Sequence, residues 1–206
     1  MSPFNTFSYN SDLIGGSLMV RESRIVAELL LADASPEDWQ HAIVDENRLQ
    51  KRSQATALRN ARTVRIRLEQ LHRDYWQALI RADDELATQI TFCALLAQSL
   101  LLVEFIETVV NDALLTRNLK LEPYQWQEFL DERSQRDPRI SEWTESSRKK
   151  MGQVVFRSME QVGLIDNTRS RTLQRVLLRT ELSGLLAEHP HPWLQRSLPI
   201  ITSQGI

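Results

Sequence analysis

A single cysteine, six glycines and seven prolines in 206 residues exclude several classes of protein at once. Cys93 has no intramolecular partner, so no disulfide framework holds this chain. There is no glycine-rich phosphate loop, no HExxH, no cysteine pair and no GxSxG, which removes the common local signatures of nucleotide, zinc and acyl chemistry. His41 and His72 stand alone, and His189 and His191 are separated by prolines that prevent helical spacing, so neither a metal nor a cofactor is expected. Asp83-Asp84 and Asp131-Glu132 read as a helix start and a solvated face rather than an acid/base pair. Cys93 lies in an apolar helix, where an inert buried thiol is expected. The N-terminal MSPFNTFSYN lacks a positive region followed by an apolar one, so no secretory leader is read and the cytoplasm is the expected compartment. With 25% charged and 42% apolar residues, the chain reads as a soluble globular protein with a real core, and as a non-enzyme.

What is present is helical periodicity. Apolar residues recur at three and four positions, predicting an all-α fold: an N-terminal three-helix unit (1–80) on a C-terminal helical bundle (81–206), in two domains or one continuous one. A first helix is predicted from Leu18 to Ala32. A second begins at Ser35-Pro36-Glu37-Asp38, a hydroxyl cap, a proline at the first turn and two acids, and runs to about Glu46. A third, capped by Ser53, is predicted to run to about Leu79. Its Ala57, Ala61, Val64, Leu68 and Leu71 form one stripe, with Arg52, Thr56, Arg59, Arg62 and Arg73 opposite.

Residues 86–103 carry no charge over 18 positions, the lower edge of a membrane span. Thr88, Gln89, Thr91, Gln98 and Ser99 interrupt the run and Glu104, Glu107 and Asp112 follow it, so a buried bundle helix is expected and no membrane partner. Glu122-Pro123 starts another helix, and Asp137-Pro138 breaks the chain before a helix over about Glu142–Val162, stopped by Gly163-Leu164. Thr168 to Arg179 reads either as a short hairpin or as helix. His189-Pro190-His191-Pro192 reads as irregular.

The total charge of −2 conceals a partition. Residues 1–47, 48–80, 81–147, 148–179 and 180–206 carry −6, +6, −7, +6 and −1. Segregated charge of this kind points to polyanionic partners, although solvated helix faces give the same count. Three successive helices over 18–73, the last with an arginine-rich outer face, match the outline of a helix-turn-helix unit. The turn is longer than usual and lacks its glycine. Arg48, Lys51, Arg52, Arg59 and Arg62 can grip phosphates, and Thr56 sits in the N-terminal half where base contacts are made. Lys149, Lys150 and Arg157, then Arg169, Arg171, Arg175 and Arg179, supply a second block. A rival reading makes the chain a docking module: the basic patches meet acidic protein surfaces, and Trp39, Trp126 and Trp143 include interface anchors.

The stretches YNSDLIGGSLMVRESRIVAELLL (9–31), the SPED-type start at Ser35, ENRLQKRSQATALRNARTVRIRL (46–68) and RKKMGQVVFRSMEQVGLID (148–166) resemble the BrxA family of bacterial BREX phage-defence systems. The resemblance spans nearly the whole chain, through packing and basic patterns rather than catalytic signatures. It implies a small helical accessory protein with a fold likened to the transcription antitermination factor NusB, and DNA binding as its activity. It supplies no catalytic residues. Double-stranded DNA, ahead of RNA, and other BREX proteins are the implied partners. Members are also labelled possible inner-membrane proteins, against which the interrupted apolar run argues. Arg48, Lys51, Arg52, Arg59 and Arg62, and Arg148, Lys149, Lys150 and Arg157, fall inside the matching stretches. Arg169 and Arg171 rest on the charge partition alone.

Overall fold

Helix caps set most boundaries in the computed structural model, which describes residues 9–202. Residues 1–8, on which most of the leader reading rests, lie outside the described residues. Helices α1 (Val20–Leu31) and α2 (Pro36–Gln40) are joined by Ser35, whose Oγ accepts the Asp38 N–H at 3.2 Å while the Asp38 carboxylate accepts the Ser35 N–H at 2.9 Å. This reciprocal pair, with Pro36 in the first turn, is the cap the sequence predicts. A wider turn over His41–Asp45 continues α2 to the expected end.

Helix α3 (Gln54–Leu68) starts as predicted, with Ser53 Oγ accepting the Thr56 N–H at 3.3 Å. It ends eleven residues before the expected Leu79. The Leu68 carbonyl is taken by the Leu71 N–H at 2.9 Å and the Trp76 indole N–H at 2.7 Å, and a separate helix α4 (Arg73–Arg81) begins after His72. Arg73 therefore does not extend the arginine face of α3; it donates to the Leu31 carbonyl at 2.6 Å and pairs with Asp33 at 3.2 Å.

The charge-free run folds into α5 (Asp84–Gln98) and α6 (Leu100–Phe105). At Ser99 the backbone leaves helical values and its hydroxyl caps α6 at the Leu102 N–H, 3.4 Å, so that α5 and the helical stretch from Leu100 to Leu115 meet at 101°. Among the described residues no single helix is long and apolar enough to cross a membrane. A wide turn over Ile106–Val110 leads into α7 (Asn111–Leu115).

Helix α8 (Pro123–Ser134), a tight turn over Pro138–Glu142 and α9 (Glu145–Gln161) follow. Gly163 ends α9 with φ +77°, and the Leu164 N–H reaches back to the Met159 carbonyl at 2.8 Å. Thr168 to Arg179 is neither hairpin nor helix. It is an extended strap with isolated antiparallel bridges, Lys120 to Thr172 and Ile165 to Leu173, and no strand forms among the described residues. The Asp166 carboxylate shapes its turn, accepting from the Asn167 and Thr172 N–H groups at 2.7 and 2.9 Å and from the Ser170 hydroxyl at 2.7 Å. Helices α10 (Thr180–Glu188) and α11 (Pro192–Ile201) complete the fold. Of the His-Pro-His-Pro sequence only the first three residues are irregular; Pro192 opens α11, where its missing N–H costs no bond.

One apolar core takes residues from both sides of position 80, from Leu13, Val64 and Leu79 to Ile90, Trp126, Met159 and Ile201. A smaller cluster of Leu29, Ala42, Ile43, Leu49, Ala57 and Ala61 seats α3 on α1 and α2.

Candidate nucleic-acid interface

Helix α3 buries Ala57, Ala61, Val64 and Leu68 and leaves Arg59 and Arg62 in solvent, with Arg52 exposed just ahead of it. None of these three arginines has a carboxylate partner among the described residues. The other candidates in this block are engaged. Arg48 pairs with Glu28 and Lys51 with Glu22, tying the loop over residues 46–53 back to α1. Asn47 clamps the same loop, accepting the Lys51 N–H and donating to its carbonyl, each at 2.9 Å. Thr56 is half-buried in the α3 cap, its hydroxyl accepting from Ser53 at 2.9 Å.

Two arginines of α3 were not singled out by the sequence. Arg65 pairs with Glu69 at 2.8 Å and stacks over Trp39 at 4.8 Å. Arg67 is 2% exposed and donates to the Gly16 and Ser17 carbonyls at 2.7 and 2.6 Å and to Gln98 Oε1 at 3.2 Å. Burial pushes its pKa down to about 10, which leaves it charged at neutral pH.

In the second block Lys149 and Lys150 are exposed on α9 and unpaired among the described residues, as is the side chain of Arg169. Arg148 is turned onto Asp131 and Arg157 pairs with Glu160 at 3.1 Å. Arg171 is spent internally, donating to the Leu121 and Thr168 carbonyls at 2.9 and 2.8 Å. Arg175 holds the Ile200 carbonyl at 2.9 Å, and Arg179 sits among Asp83, Glu181 and Glu85 at 2.7, 3.0 and 3.4 Å. Most of the charge after Gly163 therefore fastens the strap to the bundle.

Helices α3 and α9 are both tied to one turn. Thr63 of α3 lies so close to Gly15 that a Cβ there would meet its methyl at 2.5 Å. On the other side the Leu18 N–H donates to Gln161 Oε1 of α9 at 3.2 Å. Gly15 and Leu18 are three peptide links apart, a reach of at most about 11 Å, and Arg67 holds the two carbonyls between them.

A groove of about 860 Å³ opens between α8, α9 and the strap, with Tyr124, Phe156, Lys149 and Lys150 among its lining. Gly152 is the signal for it in the sequence, a glycine inside a helix marking close approach. A Cβ there would strike Trp126 Cδ1 at 2.7 Å. Trp126 is 1% exposed, so it belongs to the core and cannot be an interface anchor. The fold also brings His189 to His72 and Asp74, whose ligand atoms lie within 4.8 Å of one another. The rings stack at 3.7 Å and 15°, and Asp74 Oδ2 contacts His189 Nε2 at 2.6 Å and His72 Nδ1 at 3.3 Å. In stacked rings the in-plane lone pairs run side by side rather than converging on an ion, so this arrangement works as a polar staple between α4 and α10. Cys93 is fully buried and its thiol is pushed up to about 12, which leaves it without nucleophilic character.

Fold and surface together define an all-helical protein that presents unpaired cations on α3, on α9 and in the loops that hold Arg52 and Arg169. The chain belongs to the BrxA family, whose profile matches residues 8–190. It is 36% identical over 182 residues to BREX protein BrxA of Escherichia coli O9:H4 (strain HS), covering 88% of this chain and 85% of that one. It is 33% identical over 192 residues to BREX protein BrxA of Paramagnetospirillum magneticum (strain AMB-1), covering 93% and 96%. A crystal structure of an uncharacterized protein from Magnetospirillum magneticum superposes with a TM-score of 0.85 at 32% identity, covering 93% of this chain and 98% of that one.

Proposed function

We propose that the chain is a non-enzymatic DNA-binding component of a BREX phage-defence system, working in the cytoplasm and gripping the phosphate backbone of duplex DNA. One observation carries the reading: Arg52 ahead of α3, Arg59 and Arg62 on it, Lys149 and Lys150 on α9, and Arg169 in the strap lack acidic partners among the described residues. Most other arginines in the same segments are neutralised or committed to carbonyls. A cation with no internal partner keeps its full attraction for an external phosphate. A single duplex engages both sets if they lie on one face, and the salt slope then counts contacts from both. Contacts of this kind position the protein and carry little sequence information.

Fluorescence anisotropy on a short duplex between about 50 and 200 mM salt tests this, because each neutralised phosphate contributes about 0.9 to the slope of log affinity against log salt. The triple variant Arg52→Ala, Arg59→Ala, Arg62→Ala should lower that slope by about 2.7. Affinity unchanged by salt, or by the triple variant, would sink the proposal. Arg48→Ala and Arg171→Ala should act on stability instead of the slope, since their charges are used within the fold.

A further inference from the structure

The α8–α9 groove combines features that duplex phosphate contacts do not require. Tyr124, at the start of α8, is 58% exposed along its edge, a large planar ring left open to solvent. Behind it the wall is apolar and rigid. Trp126 is pinned by its indole N–H to the Arg148 carbonyl at 3.0 Å and packs edge-on against Phe105 at 5.2 Å, which in turn meets Phe156 at 6.3 Å. Gly152 lets the indole lie against the α9 backbone, so the wall cannot be filled from behind. The charge along the lining is one-sided: Lys149, Lys150, Arg157 and Arg171 against the single carboxylate of Glu145. Arg157 and Arg171 are already bonded to Glu160 and to backbone carbonyls, which leaves the two lysines to receive an anion.

An exposed tyrosine over an apolar wall asks for a flat, aromatic occupant, and two unpaired lysines at the same opening ask for an anionic one. The volume suits a small molecule and far exceeds a bare phosphate. We propose that this groove binds a nucleotide, with its base stacked on Tyr124 and its phosphate held by Lys149 and Lys150. Stacking on an aromatic side chain beside a basic track is how unpaired bases are held without sequence preference. The nucleotide comes either free in solution or as an unpaired residue at the end of a DNA strand. The second source rests on the nucleic-acid reading above; the groove itself does not depend on α3.

The test uses the full chain with three probes: AMP, a short blunt duplex, and the same duplex carrying a short single-stranded overhang. Calorimetry should detect AMP, and the overhang duplex should bind about tenfold tighter than the blunt one, since stacking on one aromatic contributes on the order of that factor. Tyr124→Ala should abolish both effects while blunt-duplex affinity stays unchanged, and Tyr124→Phe should restore them. Both changes are at an exposed side chain, and thermal melting checks the fold. AMP binding without an overhang preference assigns the groove to free nucleotides. Neither AMP binding nor an overhang preference, with blunt-duplex binding intact, overturns the groove and spares the duplex reading. AMP binding that Tyr124→Ala abolishes, with no duplex binding at all, supports the groove and sinks the duplex reading. AMP or overhang binding that Tyr124→Ala leaves unchanged also overturns this assignment.

Discussion

At the scale of single residues, the side chains that matter most to the surface are set apart by what they do not touch. An arginine is the same letter whether solvent-exposed or bonded to a carbonyl, and its partners here lie far away in sequence: Glu28 for Arg48, Asp131 for Arg148, Leu121 for Arg171. This is why the basic blocks were legible from composition while the division into free and committed cations was not. Arg67 is the sharpest case, an arginine on the inner face of α3 that periodicity leaves unplaced. Replacing it with methionine keeps much of the volume and orphans the Gly16 and Ser17 carbonyls and the Gln98 amide. Arg67→Met should therefore destabilise the fold by about 2–4 kcal/mol, read from urea unfolding. Wild-type stability in that variant would show that the three acceptors find other donors.

Among elements, boundaries carried by local chemistry were legible and those carried by distant packing were not. Ser35, Ser53 and Gly163 each act where the sequence places them, because a cap is a contact within four residues. The break between α3 and α4 has no glycine or proline to announce it; it depends on Trp76 folding back eight residues onto the Leu68 carbonyl. Helices α10 and α11 were hidden by the prolines around their junction, although Pro192 is itself a helix opener. The His72–Asp74–His189 staple spans the chain and is invisible to spacing. Asp74→Ala removes its shared acceptor and an acid from the first turn of α4, at a cost of about 1 kcal/mol given its exposure. Limited proteolysis should then cut faster near the His189 junction than in the wild type; equal rates would show that the staple does not hold α10.

For the molecule as a whole, the all-α fold follows from periodicity and scarce glycine, whereas the polar ties between distant segments do not. Tyr9 reaches across the chain, its N–H donating to Asp137 at 2.8 Å and its hydroxyl to the buried Glu104 at 2.6 Å. The Arg139 guanidinium, followed by the Tyr9 and Arg139 N–H groups, holds the Asp137 carboxyl below its ordinary value of 3.8. Because the unfolded chain takes up this proton first, the stabilisation is complete above that value and is lost as pH falls through the lower folded one. Melting temperature should drop on acidification from about pH 6 to about pH 2, and Asp137→Asn should flatten that part of the profile. An unchanged profile would place acid sensitivity elsewhere. The turn from Gly15 to Leu18 has a consequence at this scale too. With Thr63 on one side, Gln161 on the other and Arg67 beneath, the gap between α3 and α9 is a gauge set when the chain folds. Under the proposed function, a polyanion that contacts both helices would find their spacing already set, with little ordering of α3 and α9 left to oppose its capture.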